Sequence, residues 1–128
     1  MISDDLVAAV AGDLAAFARL HEVSHQALLT AQAQAPSLIL RCPALHHILA
    51  TLSHDRRTTR TIQHWASFVR RGYIVPGDVP IAALDIICDA AHEDTMVDVI
   101  SRLDELGDLI DGTIDDAELA MMLHQTEL

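Results

Sequence analysis

The sequence predicts an all-α fold, a compact bundle of about six helices with a long first helix, and three observations carry that prediction. Apolar residues make up 51% of the 128 positions, and they recur at intervals of three and four, the period of a helix with one buried face. The four prolines stand at the starts of such stretches or between them, where a missing N–H does no harm. No run of residues reads as a convincing strand. A chain of this length can bury roughly two-thirds of the surface its unfolded form exposes, so a single helical domain spanning 1–128 is expected.

Ser3, Asp4 and Asp5 offer a cap and two carboxylates at the positive end of a helix dipole. From there Leu6, Val10, Leu14, Phe17, His21 and Leu28 keep helical spacing, so one helix is expected over 3–33, with a break near Ser24 as the alternative. The short apolar run Ser37–Pro43 fits a lead-in to the next helix better than a strand. Pro43 suits the first turn of a helix over 43–54, with Leu45, Ile48, Leu49 and Leu52 inward and His46, His47 and His54 outward. A helix over 58–71 follows, burying Ile62, Trp65, Phe68 and Val69 and ending at Gly72, the residue that most easily closes a helix in a left-handed turn. Pro76-Gly77 marks a turn, and Asp78 a cap for a helix over 79–91 that buries Ile81, Leu84, Ile87 and Cys88.

The cleanest amphipathic pattern lies over 94–109, with Met96, Val99, Ile100, Leu103 and Leu106 on one stripe and Asp98, Asp104, Glu105 and Asp108 opposite. Asp115 and Glu118 have the spacing of a capping box for a last helix over 115–125. The longest apolar runs fall well short of the ~18 residues a membrane span needs, so no membrane partner is expected. Asp4 and Asp5 stand where a secretory signal would carry positive charge, which makes the cytoplasm the expected location.

Charge is distributed unevenly. The formal net charge is −11, yet residues 41–71 carry six arginines against Asp55 alone, while residues 72–128 carry Arg102 against fourteen acids. Such segregation points to a charged partner, or to complementary faces that pair in a homo-oligomer such as a homodimer. All the non-histidine cations are arginine. The two cysteines, Cys42 and Cys88, have no metal-binding spacing and are expected to be reduced, buried thiols.

Three motifs invite chemistry. His21-Glu22-Val23-Ser24-His25 matches HExxH, which on a helix sets two imidazoles one turn apart for Zn²⁺ while the glutamate activates water. No acid follows before Asp55 to supply a third ligand, so His21 and His25 are expected to be helix-interface histidines, with a metal-dependent hydrolase as a third reading. The segment Asp111–Leu119 resembles the back half of an EF-hand calcium loop. Counting back from Glu118, however, Gly107 and Leu109 occupy positions that need carboxylates, so a turn and a helix cap are expected there, and no cofactor. The helices over 43–54 and 58–71 have the lengths of a helix-turn-helix, with Arg56, Arg57, Arg60, Arg70 and Arg71 available to DNA.

The functional expectation is a non-enzymatic interaction protein, inhibitor-like, immunity- or antitoxin-like, or chaperone-like, whose acidic C-terminal half binds a basic partner surface. Asp98, Asp104, Glu105, Asp108, Asp111, Asp115 and Asp116 are the candidate contacts, because dense carboxylates steer and pair with Arg or Lys on a target. A DNA-binding regulator using the five arginines is the alternative. No nucleophile, base or phosphate-binding loop is assembled by any spacing in the chain, so no catalytic residue is assigned.

Overall fold

The computed structural model describes residues 2–53, 55–74, 82–108 and 112–127. Among these, seven helices, named in chain order, are α1 (Ile2–Val10), α2 (Leu14–Leu20), α3 (His25–Gln34), α4 (Cys42–Thr51), α5 (Arg56–Arg71), α6 (Glu93–Asp104) and α7 (Asp116–Gln125). Two three-residue strands, β1 (Leu38–Leu40) and β2 (Ile86–Cys88), pair in parallel with Leu38 opposite Ile86 and Leu40 opposite Cys88. The chain is mainly helical, as its periodicity predicts, but the expectation of no strand is corrected.

The long first helix is three helices. Gly12 takes a φ of 96°, and the Gly12 N–H donates to the Ala9 carbonyl while the Asp13 N–H donates to that of Ala8, the paired bonds that close a helix on a left-handed residue. Asp13 then caps α2 by accepting from the N–H groups of Ala15 and Ala16. A Cβ at residue 12 would stand 3.0 Å from the Ala44 carbonyl, so glycine also lets the α1 end approach α4. The second break falls at Ser24, whose hydroxyl accepts from the Ala27 N–H and caps α3.

The helix expected over 79–91 is corrected as well. Ile86–Cys88 is extended because it pairs with Leu38–Leu40, and a 3-10 turn at Ala90–His92 leads into α6. Leu84 is buried as foreseen, whereas Ile87 is 50% exposed. The Pro76-Gly77 turn, the Asp78 cap, Ile81 and His54 lie outside the described residues.

The α5 helix is the axis of the core. Asp55 caps it by accepting from the Thr58 N–H, and Gly72, with φ 81°, ends it. Five consecutive residues, Trp65 to Val69, are buried, so the helix is enclosed along that stretch, while its first two turns and the closing Arg70 and Arg71 keep an open face. The Trp65 indole donates to the Ala9 carbonyl at 2.8 Å, satisfying the one polar atom of a fully buried ring. Phe68 meets Phe17 of α2 at 5.3 Å between centroids. The stripe Met96, Val99, Ile100 and Leu103 of α6 closes the opposite side. Helix α7 lies against α4, where the His46 ring and the Thr126 hydroxyl are 3.0 Å apart. His46 therefore packs at a helix contact, correcting its expected outward position. No described helix is long and apolar enough to cross a membrane.

Candidate functional site

The acidic and basic segments meet at Asp104. Its side chain is only 4% exposed and accepts from Arg70 Nη1 at 2.8 Å, Gln63 Nε2 at 2.9 Å and Arg71 Nη2 at 3.4 Å. Burial works to raise this carboxyl, but the bonds from Arg70, Gln63 and Ser67 and the charge of Arg71 outweigh it and hold it below the usual carboxylate range. Asp104 thus leaves the outer face expected for it. It lies on the flank of α6 that faces α5, and a carboxylate there is stable because two guanidiniums arrive with it.

A second ion-pair node lies at Arg102. Its Nε and Nη2 donate to the two Glu118 oxygens at 2.6 and 3.1 Å, its Nη1 to Glu105 at 3.0 Å, and Nη2 also to the Thr113 carbonyl at 2.8 Å. This clamp binds α6, the approach to α7 and α7 itself. Asp115 caps α7 by accepting from the Glu118 N–H, but the Glu118 carboxylate goes to Arg102 rather than back to the cap. Glu105 is thereby half engaged. Asp115 and Asp116 are exposed at the start of α7, Asp108 is exposed after α6, and Asp111 lies outside the described residues.

The outer face of α6 is also open to solvent. Glu93, Asp94 and Asp98 are exposed, and among the described residues none forms an ion pair. Val97 sits between them and is 46% exposed, an apolar side chain within an acidic row. Glu93 and Asp94 occupy the first turn, where the helix dipole stabilises their charge. Val97, Glu93 and Asp94 are absent from the contacts expected from sequence. Their signal was present: 97 falls off the inward stripe, so an apolar residue there has no core to fill.

The arginines divide in two. Arg19, Arg41, Arg70, Arg71 and Arg102 all pair with acids of this chain. Arg56, Arg57 and Arg60 are exposed on the first turns of α5 and make no ion pair among the described residues. Helix α4 ends at Thr51 and α5 begins at Arg56, a spacing compatible with helix-turn-helix. Yet burial of 65–69 and the capture of Arg70 and Arg71 by Asp104 leave only the three leading arginines open to a nucleic acid.

HExxH does not lie on one helix. His21 ends α2 and His25 begins α3, so the two rings are separated by a turn, not stacked one turn apart. His21 Nδ1 donates to the Phe17 carbonyl at 3.0 Å and His25 Nε2 to the Ala82 carbonyl at 2.6 Å. Among the described residues no three His, Cys, Asp or Glu side chains converge as a metal site. Cys42 is buried and Cys88 half-buried, both as free thiols. Burial first, then nearby negative charge, pushes both thiols up, which keeps them protonated and poor nucleophiles at neutral pH.

Comparison with protein-family models, with curated proteins and with solved structures finds no match for this chain.

Proposed function

We propose that this protein is a non-enzymatic interaction module that receives a basic partner surface on the outer face of α6, in the manner of a small inhibitor, an immunity or antitoxin-like protein, or a chaperone. The observation that carries this reading is the row Glu93, Asp94, Val97 and Asp98, where exposed carboxylates with no ion pair among the described residues flank an exposed apolar side chain. Unshielded carboxylates attract a cationic surface over roughly a Debye length and speed encounter. An apolar side chain among them supplies the desolvated contact that charge alone does not. Ile87, half exposed on β2, belongs to an element that contacts α6 and extends the apolar component. Asp108, Asp115 and Asp116 widen the acidic field, while Asp104 serves the fold rather than the partner.

The test is affinity capture from the native host at low salt with the whole chain immobilised, followed by elution in a salt gradient. The reading expects basic proteins that elute with salt and are lost when Glu93→Gln, Asp94→Asn and Asp98→Asn are combined. Recovery of duplex DNA instead, abolished by Arg56→Ala and Arg60→Ala, would replace it with the DNA-binding alternative.

A further inference from the structure

The geometry points to a second site: a cleft between the first turns of α5 and the described residues that follow α6 and precede α7, Leu106–Asp108 and Gly112–Ile114, that binds a small amphipathic anion. Two adjoining recesses make up the cleft, of about 420 Å³ and about 470 Å³, and Arg56, Thr59, Leu106 and Gly107 line both. The first is walled by Leu52, Leu106, Ile114 and Leu119, with Ser53, Thr113 and Asp116 also on its lining. The second carries Arg60 beside Arg56. The aliphatic side chains therefore gather in the first recess, and the two arginines meet in the second, which also carries Asp108.

Arg56 and Arg60 are four residues apart on α5, so their side chains rise from one face within about 6 Å of each other. Two planar guanidiniums at that spacing can hold one carboxylate or one phosphate monoester in charge-assisted hydrogen bonds. His64 continues the row by one further turn. Burial, then the charges of His21 and Arg60, lower its proton affinity, so it adds a hydrogen-bonding ring without adding a third cation. The row suits a single acidic head, not a polyphosphate.

Context makes these arginines unusual. Five of the eight arginines are neutralised by the chain's own acids, in a protein of net charge −11, while these two face the cleft with no ion pair among the described residues. Asp108 on the far rim makes none with them either. The volume of the apolar recess lies within the range of small-molecule sites and accommodates a chain of roughly eight carbons. The ligand class is thus a carboxylate or phosphate monoester bearing a short aliphatic tail.

Sodium octanoate is the probe, with 1-octanol as the uncharged match, followed by NMR of the methyl groups of Leu106, Ile114 and Leu119 in the full chain. Saturable shifts are expected with octanoate, with affinity roughly tenfold above that for octanol, the ratio a charge-assisted contact supplies. Arg56→Ala and Arg60→Ala should each weaken octanoate about fivefold or more and leave octanol unchanged. Both arginines are exposed and unpaired, so the variants are expected to fold, which Trp65 emission checks. Octyl phosphate binding more tightly than octanoate would select the phosphate head; the reverse selects the carboxylate. The inference is overturned by absence of saturable shifts with either anion, by equal affinity for octanol, or by insensitivity to both substitutions. Duplex DNA that displaces octanoate at lower concentration than octanoate itself binds would overturn it as well. Failure here leaves the α6 reading untouched, since Glu93, Asp94, Val97 and Asp98 do not line the cleft and only the rim acids Asp108 and Asp116 are common to both.

Discussion

Replacing Asp104 with alanine removes the carboxylate on which α5 and α6 are joined. Three donors lose the carboxylate, Arg70 at 2.8 Å, Gln63 at 2.9 Å and Arg71 at 3.4 Å, while Gln63 keeps the residue 104 backbone carbonyl at 3.2 Å. A hydrogen bond to a charged group contributes about 1.5–3 kcal/mol, but the two arginines are half exposed and can turn to water, so their share is discounted toward the ~0.5 kcal/mol of surface pairs. The Gln63 bond is partly buried and keeps most of its worth, about 1–1.5 kcal/mol. The sum is about 2–3 kcal/mol, a fall in melting temperature of roughly 6–12 °C for a chain of this size. Urea unfolding followed by Trp65 fluorescence measures it. Asp98→Asn, on the exposed face of the same helix, should change stability by less than about 0.5 kcal/mol. A loss at Asp104 no larger than that at Asp98 would refute the assignment of Asp104 as the link between the helices.

The remaining predictions concern pH and backbone. His64 has a lowered proton affinity in the fold, so the unfolded chain takes up the proton first, and stability should begin to fall as pH drops below about 6.5; His64→Gln should remove that first decline in the urea midpoint. Asp104 has a depressed carboxyl, so its contribution is complete above the unfolded value near 3.9 and is lost as pH falls through the lower folded value; a second, acid decline should be present in the native chain and missing in Asp104→Ala. Gly72→Ala should cost at least about 1–3 kcal/mol by thermal melting, because φ is 81° and a Cβ there runs into the Leu84 backbone that hydrogen-bonds residue 72. An unchanged melting temperature would contradict that packing.

Local signals were legible where one residue decides one feature. Asp115 as a cap, Gly72 as terminator, and the inward stripes of α5 and α6 all follow from spacing and side-chain chemistry, whereas Asp55 caps α5 at Arg56, two residues ahead of the start expected at 58. Gly12-Asp13 was readable too, as a helix closure followed by a cap, but α1 and α2 present apolar stripes that continue in phase and disguise the break. The strands were not readable. Leu38–Leu40 and Ile86–Cys88 are each three residues long, and their extended form depends on a partner almost fifty positions away. HExxH has the residue types of a zinc motif, but the break at Ser24, foreseen as the alternative to one long helix, starts a new helix inside it and parts the two rings.

The candidate sites divide along the same line. That acids of α6 face solvent is visible in the helical period, but the inward placement of Asp104 requires knowing that Arg70 and Arg71 lie beside it. The cleft at Arg56 and Arg60 joins residues about fifty positions apart, so sequence could mark the arginines but not the apolar wall of Leu106, Ile114 and Leu119 that gives them a candidate ligand.

The central claim is that a basic partner recognises the outer face of α6 in particular, not the net charge of the chain. Its most direct test compares the host proteins retained by the native chain, by the triple variant Glu93→Gln, Asp94→Asn, Asp98→Asn, and by a charge-matched control, Asp4→Asn, Glu22→Gln, Asp85→Asn, which neutralises three exposed carboxylates outside α6. The account predicts the same salt-eluted basic protein on the native chain and the control, and its loss from the α6 variant. Equal retention by both variants, or equal loss from both, would contradict it.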